Sequence, residues 1–282
     1  MGRPGGAFAA MLLLVGCGRG PQPAPVIVLG IDGLEPSVVA PLLTDGRLPA
    51  LASLIGRGVH GTLDTSQPCF SPLLWTTVAT GREPADHGIT WFHDEDRIPF
   101  TSNARRTPAL WNLASEAGLS CDVYGWWNTW PAEPVRGRMV SSYAASGQYA
   151  VTWKGRVWDT LPDQVFPAGE AAAVAGRSEE LAGTLDEAFA AAFGFPPEPL
   201  EPLDAYEATA RWTLMSDRLY AGLAAEAAGR HDRPDLLMAY VGLPDVAGHR
   251  FWRYHRPQDY EYAVDPEHES VYGDAVSAAV VA

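Results

Sequence analysis

Three apolar runs punctuate the chain: VIVLGI at residues 26–31, CDVYGWW at 121–127 and DLLMAYVG at 235–242. Each is short and rich in β-branched or aromatic residues, and each predicts a core strand of a parallel sheet. Between them, hydrophobic positions recur at helical spacing. PSVVAPLL from Pro36 and PALASLIGRG from Pro49 predict two helices, the second ending near Gly56 or Gly58. GVHGTLD, residues 58–64, predicts a short strand. SPLLWTTVATG predicts a helix with Ser71 as N-cap, Pro72 at the first position and Gly81 at its end. TPALWNLASEAG repeats that grammar, with Thr107 as cap, Pro108 next and a terminal glycine. Ala171 to about Gly194 is alanine-rich and helical. Asp204 to about Gly229 predicts a long amphipathic helix capped by Asp204, and a helical pattern begins again near Tyr272. Residues 131–170 carry turns and aromatics without a legible period. Strands alternating with helices predict an α/β fold, a largely parallel sheet flanked by helices. A helical insertion at about 150–230 is expected to cap its carboxyl edge.

The first residues read as an address rather than as fold. Arg3 precedes the short apolar segment AFAAMLLLV, which ends in Leu14-Val15-Gly16-Cys17. This resembles a bacterial lipoprotein processing site, with Cys17 as the lipidated first residue of the mature chain. The competing reading is an ordinary signal peptide with a chance cysteine. The expected division is a leader at 1–17, a tether at 18–25 (GRGPQPAP) and an α/β unit at 26–282. A lipid on Cys17 would attach an exported protein to the periplasmic face of a membrane or to the cell surface. Gly18, where an aspartate would signal inner-membrane retention, favours the outer membrane of a Gram-negative cell. The remaining cysteines, Cys69 and Cys121, read as two separate buried thiols.

Composition narrows the function classes. With 47% hydrophobic and 19% charged residues, the chain can bury a substantial core. Its net charge is −14, and Lys154 is its single lysine. An acidic chain without a basic run is not built for nonspecific nucleic-acid binding. A phosphate substrate stays possible, because a bound cation reverses the local field. Oligomeric state is not legible.

Three places carry candidate chemistry. Asp32 follows the first strand directly. Ser71 stands at a helix start, where free N–H groups and the helix dipole favour an anion. Asp245 and His249 follow the third strand, spaced to share one helical face. Ligands of open α/β sheets bind beyond the carboxyl ends of strands, and carboxylate oxygen and imidazole nitrogen are ordinary zinc donors. Each residue also has an ordinary role available: turn aspartate for Asp32, cap for Ser71 or Asp245, packing histidine for His249.

In order and context, VIVLGIDG, SPLLWTTVATGREPADHGI, TPALWNLASEAG, GWWNTWPAEPV and LPDVAGHRFW resemble the type I phosphodiesterase/nucleotide pyrophosphatase branch of the alkaline phosphatase superfamily. The resemblance implies an alkaline-phosphatase-like sheet and a hydrolase of phosphoric esters. It also implies two divalent metal ions, most often zinc, and a covalent phosphoseryl intermediate. By it, Ser71 is the nucleophile and, with Asp32, holds one metal. Asp245 and His249 hold the second, and His87 is structural. Two features depart from the family. The later segment that gives further Asp and His ligands does not follow Val271, so the C-terminal part of the fold is expected to be missing. His255 and His268 do not sit in the context of substitutes. Phe92 stands roughly where many relatives have a phosphoryl-binding asparagine. The sulfatase pattern fails, because Ser71 is followed directly by Pro72.

Other readings stay open. One is an inert, lipid-anchored fragment or binding domain with an incomplete metal site. Another is a phosphomonoesterase or phosphotransferase of the same superfamily. Manganese or iron would suit the same donors. Trp126 to Trp130 reads as core packing, with Asn128 and Thr129 its polar members.

Overall fold

The computed structural model describes residues 24–65, 67–96, 99–145, 161–196, 198–200 and 203–282. The leader, Cys17, most of the tether and residues 146–160, which include the start of the expected insertion, lie outside the described residues. The described chain forms an α/β sheet in the order β1-β5-β2-β3-β4. Strand β1 is Val26–Ile31, β2 Cys121–Tyr124, β3 Gly137–Val140, β4 Val165–Phe166 and β5 Leu236–Val241. The first four in that order run parallel, and β4 pairs antiparallel with β3. Strands β3 and β4 fall inside the stretch that had no legible period, because both are too short to show alternation.

Side-chain alternation divides the core between the two faces. Leu237 and Ala239 of β5, with Tyr124 and Val140, pack under Met215, Leu219 and Tyr220. Leu236 and Met238, with Val123 and Met139, pack against Trp111, Ala114 and Trp126. Helix α8, Asp204–Gly229, covers the first face, and α5, Leu110–Glu116, lies on the second. A third cluster joins α1, Pro36–Thr44, α7, Leu185–Phe193, α9, Leu243–His255, and α11, Ala275–Val281, through Leu42, Phe189, Phe251, Ala275 and Val276. Helix α10, Pro266–Tyr272, adds Tyr272 to it. A buried side chain of this kind contributes roughly 1.5–3 kcal/mol.

Several local expectations are corrected. Strand β1 lies at the sheet edge rather than in its interior, and Val26, Ile27 and Leu29 are 58%, 57% and 55% exposed. GVHGTLD forms no strand, since no partner edge meets it among the described residues. Helix α2, Pro49–Arg57, ends at Gly58 as expected. The alanine-rich region is two helices, α6, Ala171–Gly183, and α7, divided at Thr184. Thr107 does not cap α5. Its carbonyl accepts from Arg105 Nε at 3.0 Å, and the Asn112 side chain instead accepts the Ala109 N–H at 2.8 Å. Asp204 sits inside the first turn of α8 and makes no capping bond. Cys69 is exposed and Cys121 buried, both as free thiols.

Candidate active site

The carboxyl ends of β1 and β5 set the site. Asp32 continues the pairing past β1, its N–H donating to Val241 O at 3.0 Å. Gly33 then turns at φ +67°, and a Cβ there would lie 2.4 Å from Asp245 Cα. Only glycine lets the two backbones approach this closely. The Asp32 turn is thus pressed against the first turn of α9, which carries Asp245.

Helix α3, Ser71–Thr80, delivers the hydroxyl. Its flanking residue is Phe70, and Ser71 is the first helical residue rather than the N-cap. Its side chain lies beside the Asp32 carboxylate and helps hold that pKa down. The helical ladder begins with Leu74 N–H to Phe70 O at 2.9 Å, so the N–H groups before it face the open end. Gly81 closes the helix in the left-handed conformation, as its sequence predicts. Three contacts fix the helix. Trp75 packs on Gly30, where a Cβ would meet its ring at 2.6 Å. Trp126 Nε1 donates to Trp75 O at 3.0 Å. Asn128 Nδ2 donates to Pro72 O at 3.2 Å and to Thr76 Oγ1 at 2.9 Å. Asn128 is a clamp beneath the serine helix.

Asp32 is mostly buried and densely held. Its Oδ2 accepts from the Tyr240 hydroxyl at 2.7 Å, and Oδ1 from Gly33 N–H at 3.1 Å. Burial raises its pKa first, the Asp245 charge raises it further, and the hydrogen bonds oppose both. Asp245 and His249 share one face of α9, with His249 Nε2 3.4 Å from Asp245 Oδ1. That carboxylate raises the imidazole pKa.

Asp217, on α8, was not anticipated. Its carboxylate accepts the N–H of Gly242 at 2.9 and 3.0 Å and of Leu243 at 2.7 Å, and so holds the start of α9. Burial pushes its pKa up to about 7 against those hydrogen bonds. The signal was an acid among Leu214, Met215, Leu219 and Tyr220 on the apolar face of an amphipathic helix. Tyr240 was a second missed residue, a phenol inside an otherwise aliphatic strand.

Ser71, Asp217, Tyr240, Asp245 and His249 line one cleft of about 560 Å³. The structure therefore brings the four sequence candidates Asp32, Ser71, Asp245 and His249 to one rim, whereas Cys17 lies outside the described residues. Phe92 lines the same cleft, its ring centroid 6.4 Å from Phe70 and 5.8 Å from Trp127. His87 is fully buried, bonded to Thr77 Oγ1 at 3.0 Å and to the Ile89 N–H at 3.1 Å, a structural role. His255 contacts Gly273 O at 3.0 Å and His268 packs on Tyr254, so neither joins the rim.

The donor set fits divalent cations in kind: two carboxylates of like charge, a hydroxyl and an imidazole. The Asp245 charge already disfavours a second anion at Asp32, a conflict that a cation relieves. The donors come in pairs, and no group of three or more His, Cys, Asp or Glu converges to hold an ion among the described residues.

Two solved structures resemble the chain, both phosphonoacetate hydrolase from Sinorhizobium meliloti 1021, one in complex with phosphonoformate and one with phosphonoacetate. Each is 17% identical and covers 91% of this chain and 52% of that one, with TM-scores of 0.44 and 0.43. The chain thus spans about half the length of the solved structures it matches. The family model for type I phosphodiesterase / nucleotide pyrophosphatase matches residues 26–275, nearly the whole described chain. With this match, the chain belongs to the type I phosphodiesterase / nucleotide pyrophosphatase family.

Proposed function

We propose that this chain is a metal-dependent phosphoric-ester hydrolase, with Ser71 as the attacking residue. The observation that carries the reading is the placement of Ser71 as the first residue of α3, at its open end, in the same cleft as Asp245 and His249 and beside the Asp32 carboxylate. Asp32 and Ser71 would hold one divalent ion, and Asp245 and His249 a second. Such ions supply positive charge at the phosphoryl oxygens and make a serine hydroxyl more acidic.

The chain's own groups account for the rest. The α3 N-terminus orients the phosphoryl oxygens toward its N–H groups and dipole. Ser71 Oγ forms the new bond to phosphorus while the bond to the leaving oxygen breaks. The leaving alcohol takes up the proton that Ser71 gives up, and water then cleaves the phosphoseryl ester and restores the hydroxyl. Tyr240 holds Asp32 in place, and Asp217 holds the helix that presents Asp245 and His249. The Leu14–Cys17 motif supports a further proposal, that the protein is exported and tethered to a membrane by lipid on Cys17.

The test is hydrolysis of bis(4-nitrophenyl) phosphate by the full chain, with metal content measured in parallel. Ser71→Ala is expected to abolish turnover and the acid-stable phosphoseryl adduct while retaining most bound metal. Asp245→Asn combined with His249→Ala is expected to lower metal stoichiometry. Undiminished hydrolysis by Ser71→Ala overturns the assignment of the nucleophile.

A further inference from the structure

We propose that the cleft beyond Ser71 selects phosphoesters of an uncharged aromatic alcohol and discriminates against nucleosides, sugars and second anions. This deepens the phosphoester reading above and rests on it. The cleft wall is aromatic on several sides. Phe70 and Phe92 stand on either side of α3 in the chain, Trp127 follows β2, Tyr143 follows β3, and Trp212 comes from α8. Rings from separate elements, lining one cavity beside the candidate nucleophile, suit a flat apolar body next to phosphorus.

Polar groups of the same wall carry the argument further, because their hydrogen bonds are already made within the protein. Thr209 Oγ1 donates to Ala205 O at 2.7 Å, and Thr213 Oγ1 to Thr209 O at 2.8 Å. A hydroxyl has a single proton, so neither keeps one for a ligand. The Tyr220 hydroxyl donates to Ser141 O at 3.0 Å and accepts the Ala145 N–H at 3.2 Å. Asp217 is taken up by the Gly242 and Leu243 N–H groups. Ser142 Oγ and Trp127 Nε1 are sealed below the cleft surface. Arg250 also lines the cleft, but its guanidinium carbon lies 5.4 Å from the Tyr206 ring centroid, and Tyr206 stands outside the cleft. A ribose hydroxyl, a base edge or a carboxylate entering here would give up water without gaining donors, which costs affinity. A bare ring gives up little and gains aromatic contact.

The test measures, by calorimetry on the full chain, the binding of phosphonates that have no ester to hydrolyse. These are methylphosphonate, benzylphosphonate, 4-carboxybenzylphosphonate and the methylene phosphonate analogue of adenosine 5′-phosphate. Benzylphosphonate is expected to bind roughly ten- to hundred-fold tighter than methylphosphonate, the range for burying one phenyl ring. It is also expected to bind more tightly than both polar analogues. Trp212→Ala, or Trp212→Leu where the smaller side chain unfolds the protein, should shrink the advantage over methylphosphonate by about tenfold. Trp212→Phe and Tyr143→Phe, which keep a ring and remove a polar hydrogen, should retain most of it. Equal affinity for methyl- and benzylphosphonate, tighter binding of either polar analogue, or an advantage that survives Trp212→Leu or is lost in Trp212→Phe overturns the proposal. Failure of all four ligands to bind overturns the phosphoester reading with it. An intact ring preference in a protein that hydrolyses no phosphoester counts against the hydrolase reading and leaves the assignment of the wall standing.

Discussion

The Tyr240 hydroxyl donates to Asp32 Oδ2 at 2.7 Å, joining neighbouring parallel strands across a separation of 208 residues. Asp32 is thereby held beside Ser71. Tyr240→Phe removes the donor while keeping the ring against Trp75 and Trp127. The expected result is about a tenfold fall in kcat/KM, with stability lowered by about 1.5–3 kcal/mol, as for one hydrogen bond to a charged group. Steady-state kinetics and urea unfolding on the same preparation measure both.

Asp217 satisfies two backbone N–H groups at the start of α9. Asp217→Ala leaves both buried donors without their acceptor and should cost about 1–3 kcal/mol for each N–H that water does not reach. Activity should fall with stability, because α9 presents Asp245 and His249. Asp217→Asn keeps one acceptor oxygen and should recover part of each loss. Matching urea midpoints for wild type and Asp217→Ala would contradict this role.

Asn128 has φ 55°, a left-handed conformation, while its amide ties β2's following loop to the first turn of α3. Asn128→Gly tolerates that backbone and removes only the amide; Asn128→Ala loses the amide and adds strain. Both variants should lose activity through looser positioning of Ser71, by about tenfold, and Asn128→Ala should unfold at the lower temperature. Equal activity of wild type and Asn128→Gly would show that the clamp does not position the serine.

His87 is buried with its pKa lowered, by burial first, against the Asp86 charge that raises it, and with a smaller push in the same direction from the like charge of Arg105. Its unfolded form binds a proton below about 6.5, whereas the folded form resists it until lower pH. The stabilisation is therefore complete above 6.5 and lost as pH falls from 6.5 toward the depressed folded value. Thermal unfolding between about pH 5 and 7.5 should show this slope in wild type, and it should flatten in His87→Gln. An identical slope in both proteins would assign the acid sensitivity to other groups.

The sequence by itself determined elements whose cause is local. Val26–Ile31 and Leu236–Val241 are continuous apolar runs of strand length, and Asp204–Gly229 repeats its apolar face over many turns. Gly81 and Pro72 mark the two ends of α3, because one permits positive φ and the other needs no N–H. Motif order, with Asp32, Ser71, Asp245 and His249 in sequence, also pointed to the rim where they meet. Tertiary structure alone decided the rest. β1 became an exposed edge because of which strand paired beside it, and GVHGTLD stayed unpaired because no strand among the described residues reached it. Asp217, Tyr240 and Asn128 act through contacts with residues far away in the chain, which leave no periodicity to read. Local pattern reports what a residue prefers for itself; the site depends on which distant backbone N–H or carboxylate the fold brings within hydrogen-bond distance.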